Sequence, residues 1–338
     1  ANNTTPESFT IHKYFAEMVE AGCDSVVMEV SSQGLMLHRT AGIQFEIGIF
    51  TNLGEDHIGP NEHKDFEDYK RCKGILFTQC NLGIANVDDK WYKDVFKNAT
   101  CRVETFGFSE EADLRAVDVK HVSRPGYLGM HYHVTGLLDM DVEVDIPGEF
   151  SVYNSLTAIA VCRHFRVPEE DIKKALKAAK VKGRVEMIKV ADDFTLMIDY
   201  AHNAMSLESL LNTMRDYNPG RLVTVFGCGG NRSKTRRYEM GEVSGKLSDF
   251  TIITSDNPRF EEPQDIINDM LAGLNKENMR KVISIADRKE AIRTACMLAQ
   301  AKDVVLVAGK GHENYQEIKG IKHHFDDKEV LRDIFANE

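Results

Sequence analysis

Short apolar runs rich in β-branched residues alternate with helix-patterned segments along nearly the whole 338-residue chain. No other feature constrains the fold as strongly. Strands that follow one another through a helix-length connection pair in parallel, and the helices cover both faces of the resulting sheet. In the first half the spacing predicts helices over 7–22, capped by Thr4 or Thr5, and 65–77, with strands at 25–30, 47–53 and 82–86. Between residues 102 and 146 the text turns to two-residue alternation, as in Met130-His-Tyr-His-Val, which predicts an antiparallel extension of the same sheet. Helices at 152–165 and 169–180 follow. Near Lys182-Gly183 the pattern resets into a second series, with strands at 196–198, 222–226, 251–254, 282–285 and 304–307. A domain boundary at about residue 182 therefore divides the chain into 1–182 and 183–338.

Charge narrows the partners. With 42 Lys and Arg against 53 Asp and Glu, the formal net charge is −11, and no basic surplus exists to neutralise nucleic-acid phosphates. No apolar run reaches the roughly 18 residues of a membrane span. The seven cysteines never form a C-x-x-C pair, so neither a zinc ribbon nor a disulfide scaffold is indicated, and a reducing cytoplasm is expected.

Four strands of the second half end in polar clusters. These are Asp199-Tyr-Ala-His-Asn, Gly227-Cys-Gly-Gly-Asn-Arg, Ser255-Asp-Asn-Pro-Arg259 and Gly309-Lys-Gly-His-Glu313. Carboxyl ends of parallel strands form the ligand crevice of such sheets, because helix N-termini there turn N–H groups toward anions. A dinucleotide fingerprint is excluded: G-x-G-x-x-G would need glycine where Arg232 stands. Arg237 and Arg259 have the guanidinium fork that captures carboxylates. In the first half, Glu29 lies in an apolar run and Asp56-His57 follows the 47–53 strand, so oxygen and nitrogen ligands could share one edge. Lys73 falls seven residues after Phe66, on the same stripe as Tyr69, Leu76 and Phe77. It is either a snorkelling stem or a lysine converted or paired at a site, and spacing does not choose. Asn3, Thr4, Thr5, Ser31 and Arg39 are polar groups near strand ends, suited either to phosphates and sugars or to ordinary capping. His131, His133, His323 and His324 share no ligand spacing and read as strand or surface residues.

In order along the chain stand Met28-Glu-Val-Ser-Ser-Gln-Gly-Leu, Phe50-Thr-Asn-Leu-Gly-Glu-Asp-His, Tyr69-Lys-Arg-Cys-Lys73, Gly183-Arg-Val-Glu, Asp199-Tyr-Ala-His, Phe226-Gly-Cys-Gly-Gly-Asn-Arg, Asp256-Asn-Pro-Arg and Gly309-Lys-Gly-His-Glu. This series resembles the Mur ligases over essentially the full length. The resemblance implies an α/β architecture: a P-loop-type ATPase central domain with a mixed sheet, N-terminally truncated, then a Rossmann-like C-terminal domain that binds the amino acid. It implies an ATP-dependent amide-bond ligase of peptidoglycan synthesis, working through an acyl phosphate. The Asp-Asn-Pro-Arg form is similar to the branch that adds meso-2,6-diaminopimelate to UDP-N-acetylmuramoyl-L-alanyl-D-glutamate; a lysine-adding relative, a folylpolyglutamate-type ligase and a non-catalytic Mur-like binding subunit are the alternatives.

By the same resemblance Glu29, His57 and a carbamylated Lys73 hold magnesium, while Asn52, Asn154, Arg184, Asp199 and His202 cradle ATP. Asn3, Thr4, Thr5, Ser31 and Arg39 hold the nucleotide-sugar peptide. Arg237, Asp256, Asn257, Pro258, Arg259, Gly309 and Glu313 form the diaminopimelate pocket. The expected state is a cytoplasmic monomer with small-molecule partners, no nucleic acid and no membrane. No G-x-x-x-x-G-K-[ST] phosphate loop occurs in the 338 residues, and this chain alone is expected to be inactive.

Overall fold

The computed structural model describes residues 3–54, 58–59, 62–124, 126–190 and 193–336. It contains two compact units: residues 1–118, 132–142 and 152–172 form the first, and residues 119–131, 143–151 and 173–338 the second.

The first unit opens with α1 (Ser8–Glu20) and the short α2 (Ser32–Met36), followed by β1 (Phe45–Phe50), α3 (Phe66–Gly74), β2 (Cys80–Asn86), α4 (Tyr92–Val95) and β3 (Arg102–Gly107). Strands β4 (Leu114–Arg124), β5 (Tyr127–Gly136) and β6 (Met140–Val144) complete a sheet of order β1-β2-β3-β4-β5-β6, and α5 (Glu149–His164) and α6 (Glu169–Ala178) follow. β1, β2 and β3 run parallel, with Ile47 opposite Leu82 and Leu82 opposite Arg102. Asp65 starts α3 by accepting the Asp68 N–H at 2.7 Å, which satisfies a donor the helix cannot. Phe50, Leu53, Tyr69, Phe77 and Val95 pack as one core beneath β1 and α3.

The expected strand at 25–30 is a correction. That segment is extended but joins no ladder, with Val26 46% and Val27 95% exposed. β-branched residues favour extended backbone, yet a strand exists only where neighbouring N–H and C=O groups accept its ladder, and none of the described residues supplies one. Glu29 is accordingly exposed rather than buried in a strand. The expected Thr4 or Thr5 cap on the first helix also differs: Glu7 occupies the N-cap position, and its side chain accepts no N–H of the helix.

The second unit's sheet has the order β11-β10-β9-β12-β8-β7. Its elements are β7 (Glu186–Ile188), β8 (Thr195–Asp199), α7 (Ala204–Arg215), β9 (Leu222–Phe226), α8 (Lys234–Leu247), β10 (Phe250–Ile253), α9 (Pro263–Ala272), β11 (Val282–Ser284), α10 (Arg288–Leu298) and β12 (Val304–Ala308). A hairpin of β13 (Tyr315–Ile318) and β14 (Ile321–His324) precedes α11 (Asp327–Ala336). All ladders from β8 to β11 are parallel; β7 is an antiparallel edge on β8. Every residue of β8, β9 and β12 is buried, the pattern of strands covered on both faces. Their side chains form the core with Ala291, Ile292, Ala295 and Leu331 from the covering helices.

Candidate functional sites in each unit

In the first unit a cavity of about 1310 Å³ is lined by Asn3, Thr4, Glu29, Ser31, Arg39, Lys73 and Asn154, all expected site residues. The extended 24–31 segment forms one wall, and its course is fixed by a residue expected to touch substrate. The Thr5 hydroxyl donates to the Glu29 carbonyl at 3.1 Å and accepts the Ser31 N–H at 2.8 Å, while itself fully buried. Arg39 is likewise engaged within the protein: Nη1 donates to the Thr5 carbonyl at 3.2 Å and Nη2 meets Glu7 Oε1 at 2.7 Å. Ser31 caps α2 by accepting the Gly34 N–H. These three side chains therefore shape the wall.

Lys73 reaches the cavity from α3, with Nζ 5.6 Å from the Tyr69 ring. Burial drives its ammonium below the ordinary lysine range, against an opposing pull from the Glu29 carboxylate. His63, which spacing alone did not single out, is buried between Ser32 Oγ at 2.9 Å and Asp68 Oδ2 at 3.3 Å, and so ties α2 to the helix carrying Lys73. Asn52 is exposed, its amide only 3.5 Å from Thr51 Oγ1. His57 lies outside the described residues.

In the second unit the four polar clusters meet at the carboxyl edge of the sheet. Asp199, at the end of β8, accepts the Val185 N–H through Oδ2 and the Ala201 N–H through Oδ1, each at 2.7 Å. Burial raises its carboxyl above the usual range, with those N–H bonds pulling the other way. The Val185 bond holds a β-branched residue at φ +46°, a conformation that persists only when the surroundings impose it. Arg184 lays its guanidinium 4.9 Å from the Tyr200 ring, and His202 packs edge-on to that ring. His202 Nδ1 is 2.9 Å from the Tyr200 carbonyl.

Beside it, the loops after β9, β10 and β12 converge on Asp256, Asn257, Arg259 and Glu313. Gly309 has φ +111°, and a Cβ there would stand 2.9 Å from Asp256 Oδ2, so only glycine lets the loop lie against that carboxylate. Asn257 Nδ2 donates to Glu313 Oε2 at 3.0 Å, and Asn257 Oδ1 accepts the Glu317 N–H at 2.9 Å. Arg259 follows Pro258 at φ +52°; Nη1 donates to the Gly230 carbonyl at 2.6 Å and Nε points to Glu317 Oε2 at 3.4 Å. Its backbone is bridged to β13, with the Arg259 N–H donating to the Glu317 carbonyl. Arg237 is a correction to the reading of its guanidinium as available for a ligand carboxylate. It is 1% exposed and paired with Glu261 at 2.7 Å and Asp269 at 2.9 Å, bracing α8 against α9. Lys310 is a residue that the motif reading does not single out; its one signal in the sequence is a lysine two residues past a wholly apolar strand. It is completely buried among Asp256, Asn257 and Glu313.

Residues 1–162 match the Mur ligase middle domain, and residues 183–311 the Mur ligase, glutamate ligase domain. The chain is 47% identical over its whole length to the UDP-N-acetylmuramoyl-L-alanyl-D-glutamate--2,6-diaminopimelate ligase of Phocaeicola vulgatus, spanning 69% of that protein. It is 44% identical over 99% of its length to a ligase of the same name from Clostridium acetobutylicum, spanning 68% of it. A solved structure of a UDP-N-acetylmuramoyl-L-alanyl-D-glutamate--2,6-diaminopimelate ligase superposes on 99% of the chain and 69% of its own, at a TM-score of 0.75 and 29% identity. On this evidence the chain belongs to the Mur ligase family.

Proposed function

We propose that the chain serves an ATP-dependent ligase that joins meso-2,6-diaminopimelate to UDP-N-acetylmuramoyl-L-alanyl-D-glutamate in peptidoglycan synthesis. The observation that carries this reading is the second unit's convergent loop cluster, where a fixed guanidinium, Arg259, stands with two carboxylates, Asp256 and Glu313. An amino acid with a further charged end needs such a set: Arg259 pairs with a carboxylate, and Asp256 or Glu313 with an ammonium group. Lysine has no distal carboxylate for Arg259.

The chemistry joins a carboxylate to an amine, which requires activating the carboxylate first. Phosphoryl transfer from ATP makes the D-glutamyl carboxylate an acyl phosphate; the neutral amine attacks its carbonyl, the C–N bond forms, and phosphate leaves with the C–O bond electrons. The first unit's cavity suits the activation step. Glu29 is a hard oxygen donor, and Lys73, with its ammonium disfavoured by burial, can present the neutral amine that takes up CO2 as a carbamate, a second hard donor. These two, with His57, would hold magnesium, which when bound neutralises charge on the transferring phosphoryl group. Asn154 on the cavity wall, and Arg184, Asp199 and His202 in the second unit, are assigned to ATP. Asn3 and Thr4 face the nucleotide-sugar peptide, while Thr5, Ser31 and Arg39 hold the wall they stand on. The reading goes with a cytoplasmic monomer acting on small molecules; no helix among the described residues is long and apolar enough to cross a membrane.

The test is ligand-dependent thermal stabilisation. A ligand that binds only the folded state adds about 2.7 kcal/mol at a concentration one hundred times Kd. Saturating meso-diaminopimelate is expected to raise the Tm of the chain, and Arg259→Ala is expected to remove the shift while leaving the unliganded Tm within a few degrees. An equal shift in the variant would overturn the assignment of Arg259.

A further inference from the structure

Lys310 carries an ammonium with no exposed surface at the centre of the loop cluster. Its Nζ lies 3.2 Å from Asp256 Oδ1, 3.2 Å from Asn257 Oδ1 and 3.5 Å from Glu313 Oε2, so three acceptors from two loops converge on one cation. The Tyr315 ring, 5.6 Å away, closes a further side. Burying a lysine is costly unless every donor is matched, and here the matching groups are those assigned to the substrate. Without the cation, Asp256 and Glu313 would stand as two carboxylates in a largely buried pocket, with Asn257 between them donating to Glu313. Their like charges would then face each other with no cation between them. Arg288, also completely buried, acts electrostatically on Asp256 and Glu313 and donates through Nη2 to the Ala308 carbonyl, just before Gly309. The loop that presents Lys310 is thus itself held from below.

Resting on the diaminopimelate reading above, we propose that Lys310 is a positioning residue for the incoming amino acid. Its ammonium holds Asp256, Asn257 and Glu313 at one spacing and leaves the trio of Asp256, Glu313 and Lys310 with a single net negative charge, which matches one substrate ammonium group. Lys310 does not touch the reacting atoms; it sets the geometry and charge of the groups that bind the amino acid.

The experiment measures meso-diaminopimelate binding calorimetrically for the chain and for Lys310→Met, which keeps side-chain length and removes the charge, and for Lys310→Arg, which keeps the charge. In parallel, the 15Nζ resonance of Lys310 in lysine-labelled protein is followed as diaminopimelate is added. The expected result is a Kd weakened about 10- to 100-fold in Lys310→Met, the scale of lost charged hydrogen bonds, part of that loss restored in Lys310→Arg, and a ligand-dependent shift of the Lys310 resonance. A packing role alone would leave that resonance in place. Unchanged affinity in Lys310→Met overturns the proposal, and so does an unmoved resonance on saturation, a measurement that needs no variant to fold. Absence of any diaminopimelate binding by the unsubstituted chain would instead overturn the substrate reading on which the proposal rests.

Discussion

At the scale of single residues, the second unit is organised by buried charges that are all matched on at least one side. Arg288 and Asp327 are both fully enclosed; Nε meets Oδ1 at 2.8 Å and Nη2 meets Oδ2 at 2.7 Å, pinning α10 to α11. Removing one partner of such a pair leaves an uncompensated charge in the core. Asp327→Ala is therefore expected to cost about 3–5 kcal/mol, read as a lowered urea midpoint at constant m-value. Replacing both residues with apolar ones of similar volume is expected to recover most of that loss. That Asp256, Asn257 and Glu313 belong to polar clusters was legible beforehand, because they are charged or amide groups just past apolar strands, and the structure brings them together around Lys310. Arg237 and Lys310 were not legible in their roles. An Arg or Lys reads alike in sequence whether it faces a ligand or an internal carboxylate, and the partners of Arg237, Glu261 and Asp269, lie 24 and 32 positions away.

At the scale of elements, the site depends on loops whose backbones touch. A Cβ at Gly230 would come within 2.0 Å of the Pro258 carbonyl oxygen, so at that point the loop after β9 lies against the loop carrying Arg259 because residue 230 has no side chain. Gly230→Ala is expected to destabilise the chain by about 1–3 kcal/mol, the scale of overpacking, and to weaken diaminopimelate binding along with it. Gly54→Ala, where a Cβ meets nothing within 4 Å, is the matched control and should stay within about 0.5 kcal/mol. Denaturant midpoints and calorimetric Kd values for the two variants check both statements. The parallel strands of the second unit were readable because runs such as Val304–Ala308 are apolar throughout, as a doubly covered strand is, whereas β7 and the β13–β14 hairpin carry no such run. The 25–30 segment misled for the same reason. Composition reports an extended preference, while a ladder depends on neighbours that composition does not name.

At the scale of the whole molecule, two sites of different chemistry sit in two units. On the proposed reading, the first unit's cavity, lined by Glu29, Lys73 and Asn154, serves to activate a carboxylate, and the second unit's guanidinium and two carboxylates serve to choose the amine. On that reading the choice of amine is the most specific step, because meso-diaminopimelate and L-lysine differ by one distal carboxylate, which Arg259 would pair with. The direct measurement is calorimetric titration of the two amino acids into the same preparation of the chain. Selection by Arg259 predicts that meso-diaminopimelate binds and that L-lysine binds at least about tenfold more weakly, the equivalent of roughly 1.4 kcal/mol for the lost ion pair. Equal affinities, or tighter binding of L-lysine, would contradict it.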